Sequence, residues 1–352
     1  VKWSEILNLT DVKSFYLPEL EEKIKELSLP AFRSKQIYDW LHKRGVMSFD
    51  EMSNLPKELR SSLASIFEIY GCKIEKKFAS TVDDTVKYLF RLHDGELIES
   101  VLMHYKYGYT LCISTQVGCK MGCAFCASGL NGFVRNLMAS EMLSQIHAVQ
   151  NDMNVRVSHI VLMGMGEPLD NYDNVLRFLK LVTNSDGLNI GMRNISLSTS
   201  GLVDRIYDLL SQRLQLTLSV SLHAPNDEIR SKIMPVNKRY PVRELLKVCK
   251  KYTQLTSRRI SFEYAMISGV NDSDECAAEL SKKLKGMLCH VNLIPANEVE
   301  ENYFKKSSED RLERFTAILK KNGINVTVRR SLGSDINASC GQLRSRHWKG
   351  EV

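Results

Sequence analysis

Between residues 110 and 330 seven short strand-like runs recur with helical stretches between them: TLCIST, HIVLMGMG, NISLSTS, LTLSVSLHA, ISFEYAMI, HVNLIPA and NVTVRR. Alternation of this kind implies parallel strands joined by crossover helices, because a parallel pair cannot be closed by a tight turn. Polar residues sit at or just after the C-terminal end of nearly every run: Cys119, Glu167, Ser198, His223 and Asn297. In a barrel of parallel strands those ends converge on one mouth, where catalytic groups gather. Seven runs predict an α/β fold built as an incomplete barrel of six to seven units. A doubly wound open sheet is the competing arrangement, and periodicity does not separate the two.

The chain before residue 110 has a different character. Residues 1–72 read as a small helical module: Ile37, Trp40 and Leu41 fall at helical spacing, Ser48 and Glu51 form a capping-box pattern, and Pro56 opens a helix bearing Leu59, Leu63, Ile66 and Phe67. From 73 to 109 the period changes to two. TVKYLFRL and ELIESVLMHY flank the turn His93–Asp94–Gly95, a hairpin that connects the module to the main body at 110–352.

No apolar run approaches the roughly 18 to 20 residues that span a bilayer, and Lys2, Glu5, Asp11 and Lys13 occupy the place of a signal peptide's apolar stretch. A cytoplasmic protein away from membranes is expected. In such a reducing compartment nine cysteines are metal ligands, catalytic thiols or small buried hydrophobes rather than a disulfide framework. Cys249 lies on the apolar face of a helix, and Cys72, Cys276 and Cys289 stand alone, so these four read as structural. The formal charge of +7 favours phosphate-bearing partners without establishing one. AFRSKQIYDWLHKRG near one end and RRSLGSDINASCGQLRSRHWKG near the other concentrate Arg, Lys and aromatics.

Cys119, Cys123 and Cys126 lie together in QVGCKMGCAFCAS. Structural zinc would need a fourth Cys or His at short range, yet His104 and His147 are fifteen or more positions away. A redox dithiol would use Cys123 and Cys126 and leave Cys119 without a role. Three thiolates can also hold a 4Fe-4S cluster whose fourth iron stays open for a ligand.

The C-x3-C-x2-C spacing after the first strand, followed by GMGEP at 164–168 after the next, resembles the radical S-adenosylmethionine (SAM) superfamily. Within it, QVGCKMGCAFCAS, GMGEPLDNYDNV, STSG, SLHAPND, SRRISFEYAMISGVNDS, NLIPAN and CGQL occur in order along the chain. Together they resemble the RNA adenine methyltransferases of the RlmN/Cfr group. The resemblance implies a partial (β/α)6-type radical SAM barrel, one 4Fe-4S cluster on Cys119, Cys123 and Cys126, and SAM as the ligand of the open iron. It implies SAM contacts at Gly166, Glu167, Ser198, Ser221, Leu222, His223 and Asn297. It also implies methylation of C2 of an adenine in 23S rRNA and in tRNA, with two SAM per turnover.

C2 of adenine is electron-poor and has no nucleophilic lone pair, so displacement on SAM cannot methylate it. The resemblance implies that Cys340 carries the methyl group first, that Cys112 resolves the resulting link to RNA through a transient disulfide with Cys340, and that Glu99 accepts the C2 proton. It further implies an electron donor such as flavodoxin or ferredoxin, an RNA-binding role for the helical module, and a monomer. Two alternatives stay open: methylation at C8, as in the Cfr-like relatives, and a non-catalytic Fe-S RNA-binding module, which would leave Cys112 and Cys340 unexplained. Ser339 stands where alanine is frequent, and Glu298 and Val299 follow Asn297 where proline is frequent.

Overall fold

The computed structural model describes residues 10–297 and 304–343; Lys2, Glu5, Glu298, Val299 and the basic run 344–350 lie outside them. The chain begins with β1 (Thr10–Asp11), α1 (Leu17–Glu26), α2 (Phe32–Asp39), α3 (Lys57–Ala64) and β2 (Phe67–Glu68). Ile37, Trp40 and Leu41 are buried with Leu20, Ile24 and Leu63 in a cluster of their own. β1 and β2 pair in parallel and so tie the two ends of this module together.

Two local details differ from the periodicity. The helix after Pro56 ends at Ala64, so Phe67 is buried from β2 rather than from a helix face. Ser48 accepts from the Asp50 amide at 3.0 Å and caps a single 3-10 turn, while Glu51 accepts from the Met47 amide at 2.9 Å, so the reciprocal box does not close on Ser48. The aromatics of AFRSKQIYDWLHKRG also divide: Tyr38 and Trp40 belong to the module's core, whereas Phe32, Lys35, Lys43 and Arg44 face outward.

Three antiparallel strands follow, β3 (Cys72–Ala79), β4 (Val86–Leu92) and β5 (Leu97–Tyr105), and β6 (Gly108–Cys112) returns against β5. The turn at His93–Gly95 joins β4 to β5, and β3 adds a strand that the hairpin pattern does not include. Its outward charges, Lys73, Glu75, Lys76 and Lys77, hide the alternation.

β7 (Gln116–Gly118) and β8 (Phe133–Asn136) then form a separate two-stranded ribbon. The remaining elements alternate: α4 (Ala139–Met153), β9 (Val157–Leu162), α5 (Tyr172–Val182), β10 (Ile195–Thr199), α6 (Val203–Ser211), β11 (Thr217–Ser221), α7 (Asp227–Ile233), α8 (Val242–Thr256), β12 (Ile260–Met266), α9 (Asp274–Leu284), β13 (Cys289–Pro295), α10 (Glu309–Lys321) and β14 (Val326–Val328).

One ten-stranded sheet results, in the order β14-β13-β12-β11-β10-β9-β6-β5-β4-β3. β6 and β9 to β14 are all parallel. Their spatial order follows sequence order without reversal, whereas a doubly wound sheet must reverse at its switch point. The seven-unit partial barrel is therefore the fold. β3 and β14 do not pair, so the barrel stays open along one side. Cys72, Cys249, Cys276 and Cys289 are buried in its hydrophobic core. No helix of the described residues is long and apolar enough to cross a membrane.

Candidate active site

The three clustered cysteines sit on the loop between β7 and β8. Gly118, at φ +71°, faces the Gly132 carbonyl where a Cβ would otherwise stand, which lets the ribbon turn tightly before Cys119. The Cys119 amide donates to the Gly132 carbonyl at 3.0 Å, and the Ala124 amide donates to the carbonyl of Ile233, at the end of α7, at 2.9 Å. Cys119, Cys123 and Cys126 are half-buried and line one cleft, whose empty volume with its open mouth is about 1070 Å³. Burial pushes the Cys119 thiol up to about 12 and raises those of Cys123 and Cys126 as well. Metal binding must therefore displace protons from these sulfurs. Among the described residues no three Cys, His, Asp or Glu side chains converge closely enough for a single metal ion. Three thiols lining one cleft of this size leave room for a larger, polynuclear group.

The parallel strands β9 to β14 bring their C-terminal ends to the same cleft, while the end of β6 reaches the neighbouring cavity. After β9 come Gly166 and Glu167; β10 and β11 contribute Ser198 and Ser221; Asn297 follows β13. Glu167 is buried, and its carboxylate accepts from the Ser200 amide at 2.6 Å and the Leu169 amide at 3.0 Å. Burial raises its pKa against those hydrogen bonds. The same carboxylate thus joins the loop after β9 to the loop after β10, and two amides leave acceptor capacity facing the cleft.

His223 also lines the cleft, at φ +55°, with its Nδ1 accepting from the Ala265 amide at 2.8 Å. Burial lowers its pKa to about 3, so the ring is neutral with its proton on Nε2. Leu222 is fully buried beneath the cleft and does not line it; its amide donates to the Glu263 carbonyl at 3.1 Å.

Cys340 reaches this cleft from the far end of the sequence. Its loop is moored to the cysteine loop by the Ala127 amide on the Gly341 carbonyl at 2.7 Å and the Ser128 hydroxyl on the Leu343 carbonyl at 2.8 Å. The Asn297 amide group donates to the Cys340 carbonyl at 3.0 Å. A neighbouring cavity is lined by both Cys112 and Cys340. Cys112 is buried at the end of β6, and burial followed by the nearby Cys340 sulfur pushes its thiol up to about 12, opposed by Arg329.

Glu99 lines neither cavity. It is buried on β5, 3.3 Å from the Lys87 ammonium, and that ammonium also approaches the Asn337 carbonyl of the Cys340 loop at 3.4 Å. Glu99 shares its strand face with Val101 and Met103, which do line the Cys112–Cys340 cavity.

Three residues of the site do not stand out in the sequence. Gln116, fully buried, accepts from the Glu167 amide at 2.9 Å and donates to Asn136 at 2.8 Å and Asp170 at 2.9 Å, so it holds the loop after β9 against β8. Arg230 on α7 donates to the carbonyls of Ser200, Ser221 and Leu222 at 2.6, 3.0 and 3.0 Å and thereby fixes the ends of β10 and β11. Arg329, just past β14, lines the main cleft and the Cys112–Cys340 cavity, and the Cys340 sulfur, foremost among its neighbours, holds its guanidinium above the usual range. Position alone carries a signal for Arg329, which follows a strand end; buried arginines on crossover helices leave none.

Known proteins resemble this chain in sequence and fold over most of its length. The family described as the Radical SAM superfamily matches residues 113–280, and the Ribosomal RNA large subunit methyltransferase N-terminal domain matches residues 7–69. A curated relative from Alkaliphilus oremlandii, named a probable dual-specificity RNA methyltransferase RlmN, is 55% identical over 96% of this chain and 98% of its own length. A protein of the same name from Clostridium novyi is 50% identical over 96% of this chain and 99% of its own. The crystal structure of a radical SAM methyltransferase from Sphaerobacter thermophilus superposes with a TM-score of 0.91 at 44% identity, covering 95% of this chain and 99% of the other.

Proposed function

The chain belongs to the RlmN family of radical SAM RNA methyltransferases, and from that premise we propose that it methylates C2 of an adenine in 23S rRNA and in tRNA by way of a methyl group carried on Cys340. The observation that carries this reading is that Cys340 lines two cavities at once, one shared with Cys119, Cys123 and Cys126 and the other with Cys112. The family's cofactors are a 4Fe-4S cluster and SAM, which together supply a methyl group and a one-electron route to a carbon-centred radical.

Cys119, Cys123 and Cys126 would hold the cluster. Gly166, Glu167, Ser198, Ser221, His223 and Asn297 would contact SAM, with Leu222 supporting them from below. Cys340 accepts the methyl group on its sulfur by displacement. Loss of a hydrogen atom from that S-methyl group lets its carbon bond to C2 of the adenine, which leaves the RNA tethered to Cys340. Glu99 accepts the C2 proton, and its pairing with Lys87 gives that proton a buried polar route next to the Cys340 loop. The one electron left on the ring after these steps would be taken back by the cluster. The Cys112 thiol then gives up its proton and its sulfur bonds to the Cys340 sulfur as the sulfur–carbon bond breaks; the released carbon keeps the electron pair and takes up a proton to become the methyl group, and methylated RNA leaves with a Cys112–Cys340 disulfide behind it. Restoring the two thiols takes two electrons from a cellular thiol reductant. An electron donor of the flavodoxin or ferredoxin class, a cytoplasmic setting and a monomeric enzyme complete the proposal.

Cys112→Ala tests the division of labour between the two thiols. The variant should stop at the tethered stage, giving a band on a denaturing gel that RNase removes. Free methylated RNA released at the wild-type rate would show that Cys112 does not resolve the intermediate.

A further inference from the structure

Granting that Cys119, Cys123 and Cys126 hold a cluster, we infer that Arg230 is a positioning residue whose buried positive charge also offsets the negative charge that the thiolates and the reduced cluster bring into the cleft. Arg230 is fully buried on α7. Its guanidinium donates to Leu222, Ser221 and Ser200 carbonyls, to Asn237 Oδ1 at 3.1 Å and to the Tyr240 carbonyl at 3.5 Å. All five acceptors are neutral, and no ion pair among the described residues includes Arg230.

A buried charge without a counter-charge is costly, and such charges in proteins are ordinarily paired. Asp227 forms no ion pair with Arg230, and one of its oxygens is taken by the Val242 amide at 2.7 Å and the Asn237 side chain at 3.0 Å. Two of the acceptors of Arg230, the Ser200 and Ser221 carbonyls, belong to residues that line the cleft with Cys119, Cys123 and Cys126, so the guanidinium stands directly behind the cleft wall. Burial lowers the arginine only to about 10, so it remains protonated at neutral pH.

The loop bearing Cys123 rests on the same helix, through the Ala124 amide on the Ile233 carbonyl at 2.9 Å. A cation fixed there stabilises thiolate over thiol, and it stabilises the reduced cluster more than the oxidised one, because reduction adds negative charge. Its five hydrogen bonds and its charge are separable, since lysine can keep the charge but cannot reproduce the planar fork.

The test is an anaerobic redox titration of the reconstituted enzyme without SAM, followed by the electron paramagnetic resonance of the reduced 4Fe-4S cluster. Arg230→Met should move the midpoint to a more negative potential. Arg230→Lys should stay near wild type, while both variants bind SAM several-fold more weakly because the ends of β10 and β11 are no longer held. An unshifted midpoint in Arg230→Met, or an equal shift in Arg230→Lys, would overturn the inference. If Arg230→Met does not retain its cluster, the uncharged Arg230→Gln takes its place under the same two criteria. A wild-type protein that takes up no 4Fe-4S cluster would instead refute the assignment of the three cysteines.

Discussion

At Gly166 the backbone runs at φ +100°, and a Cβ would come within 2.5 Å of the Gln116 Cβ. Both facts exclude a side chain: the conformation disfavours L residues, and Gln116 cannot retreat while it holds Glu167, Asn136 and Asp170. Gly166→Ala should therefore cost about 1–3 kcal/mol of stability and weaken SAM binding, checked by urea denaturation and calorimetry. Unchanged affinity would mean that the loop after β9 is not held to this geometry. At the level of single residues, sequence is informative where chemistry fixes residue type. Cys119, Cys123 and Cys126, Glu167 and Cys340 stand out by motif. Gln116, Arg230 and Arg329 do not, because their value lies in partners that only the folded chain brings near.

Among the elements, the seven parallel strands are legible because each is a short β-branched run closed by a polar end. β3 is not, since four charged residues interrupt its pattern, and β7 and β8 escape notice because three and four residues are too few to show a period. The loop carrying Cys340 has no regular pattern either, and its position is set by tethers to four other segments: the cysteine loop, the end of β13, β4 and the turn beyond β3. Asp335 is one of them, accepting from the Ser80 hydroxyl at 2.7 Å and the Thr81 amide at 2.8 Å beyond the end of β3. Asp335→Ala should loosen residues 330–343, raising their hydrogen exchange and slowing methyl transfer to RNA while the cluster stays intact. Unaltered exchange in that loop would show that the remaining tethers suffice.

Across the whole molecule, three buried histidines link folding to pH. His42 and His147 lie at the seam between the helical module and the barrel, where His147 Nε2 is 3.1 Å from the His42 carbonyl, and His223 lies in the cleft. Burial lowers His42 and His223 to about 3, and His147 well below its ordinary value. A depressed pKa means that the unfolded chain takes up the proton first, so this stability is complete above pH 6.5 and declines as pH falls toward 3. Each histidine can contribute up to about 1.4 kcal/mol per pH unit within that window. Asp11 and Glu167, both raised by burial, act in the opposite sense and blunt the decline. His42→Phe, which retains the stack on Tyr38 and removes two nitrogens that have no hydrogen-bond partner among the described residues, should flatten the change in urea midpoint between about pH 7 and pH 5.5; an unaltered slope would exclude His42 as a source. The barrel frames the cleft that Cys340 shares with Cys119, Cys123 and Cys126, and the neighbouring cavity brings Cys340 together with Cys112. The most direct test of that convergence is to incubate 23S rRNA and tRNA with reconstituted enzyme, SAM and reductant, digest the RNA, and identify the modified nucleoside by chromatography and mass spectrometry. The wild type should yield 2-methyladenosine and Cys340→Ala none; 8-methyladenosine would contradict the assignment of C2, and a normal yield of 2-methyladenosine from Cys340→Ala would contradict the role given to Cys340.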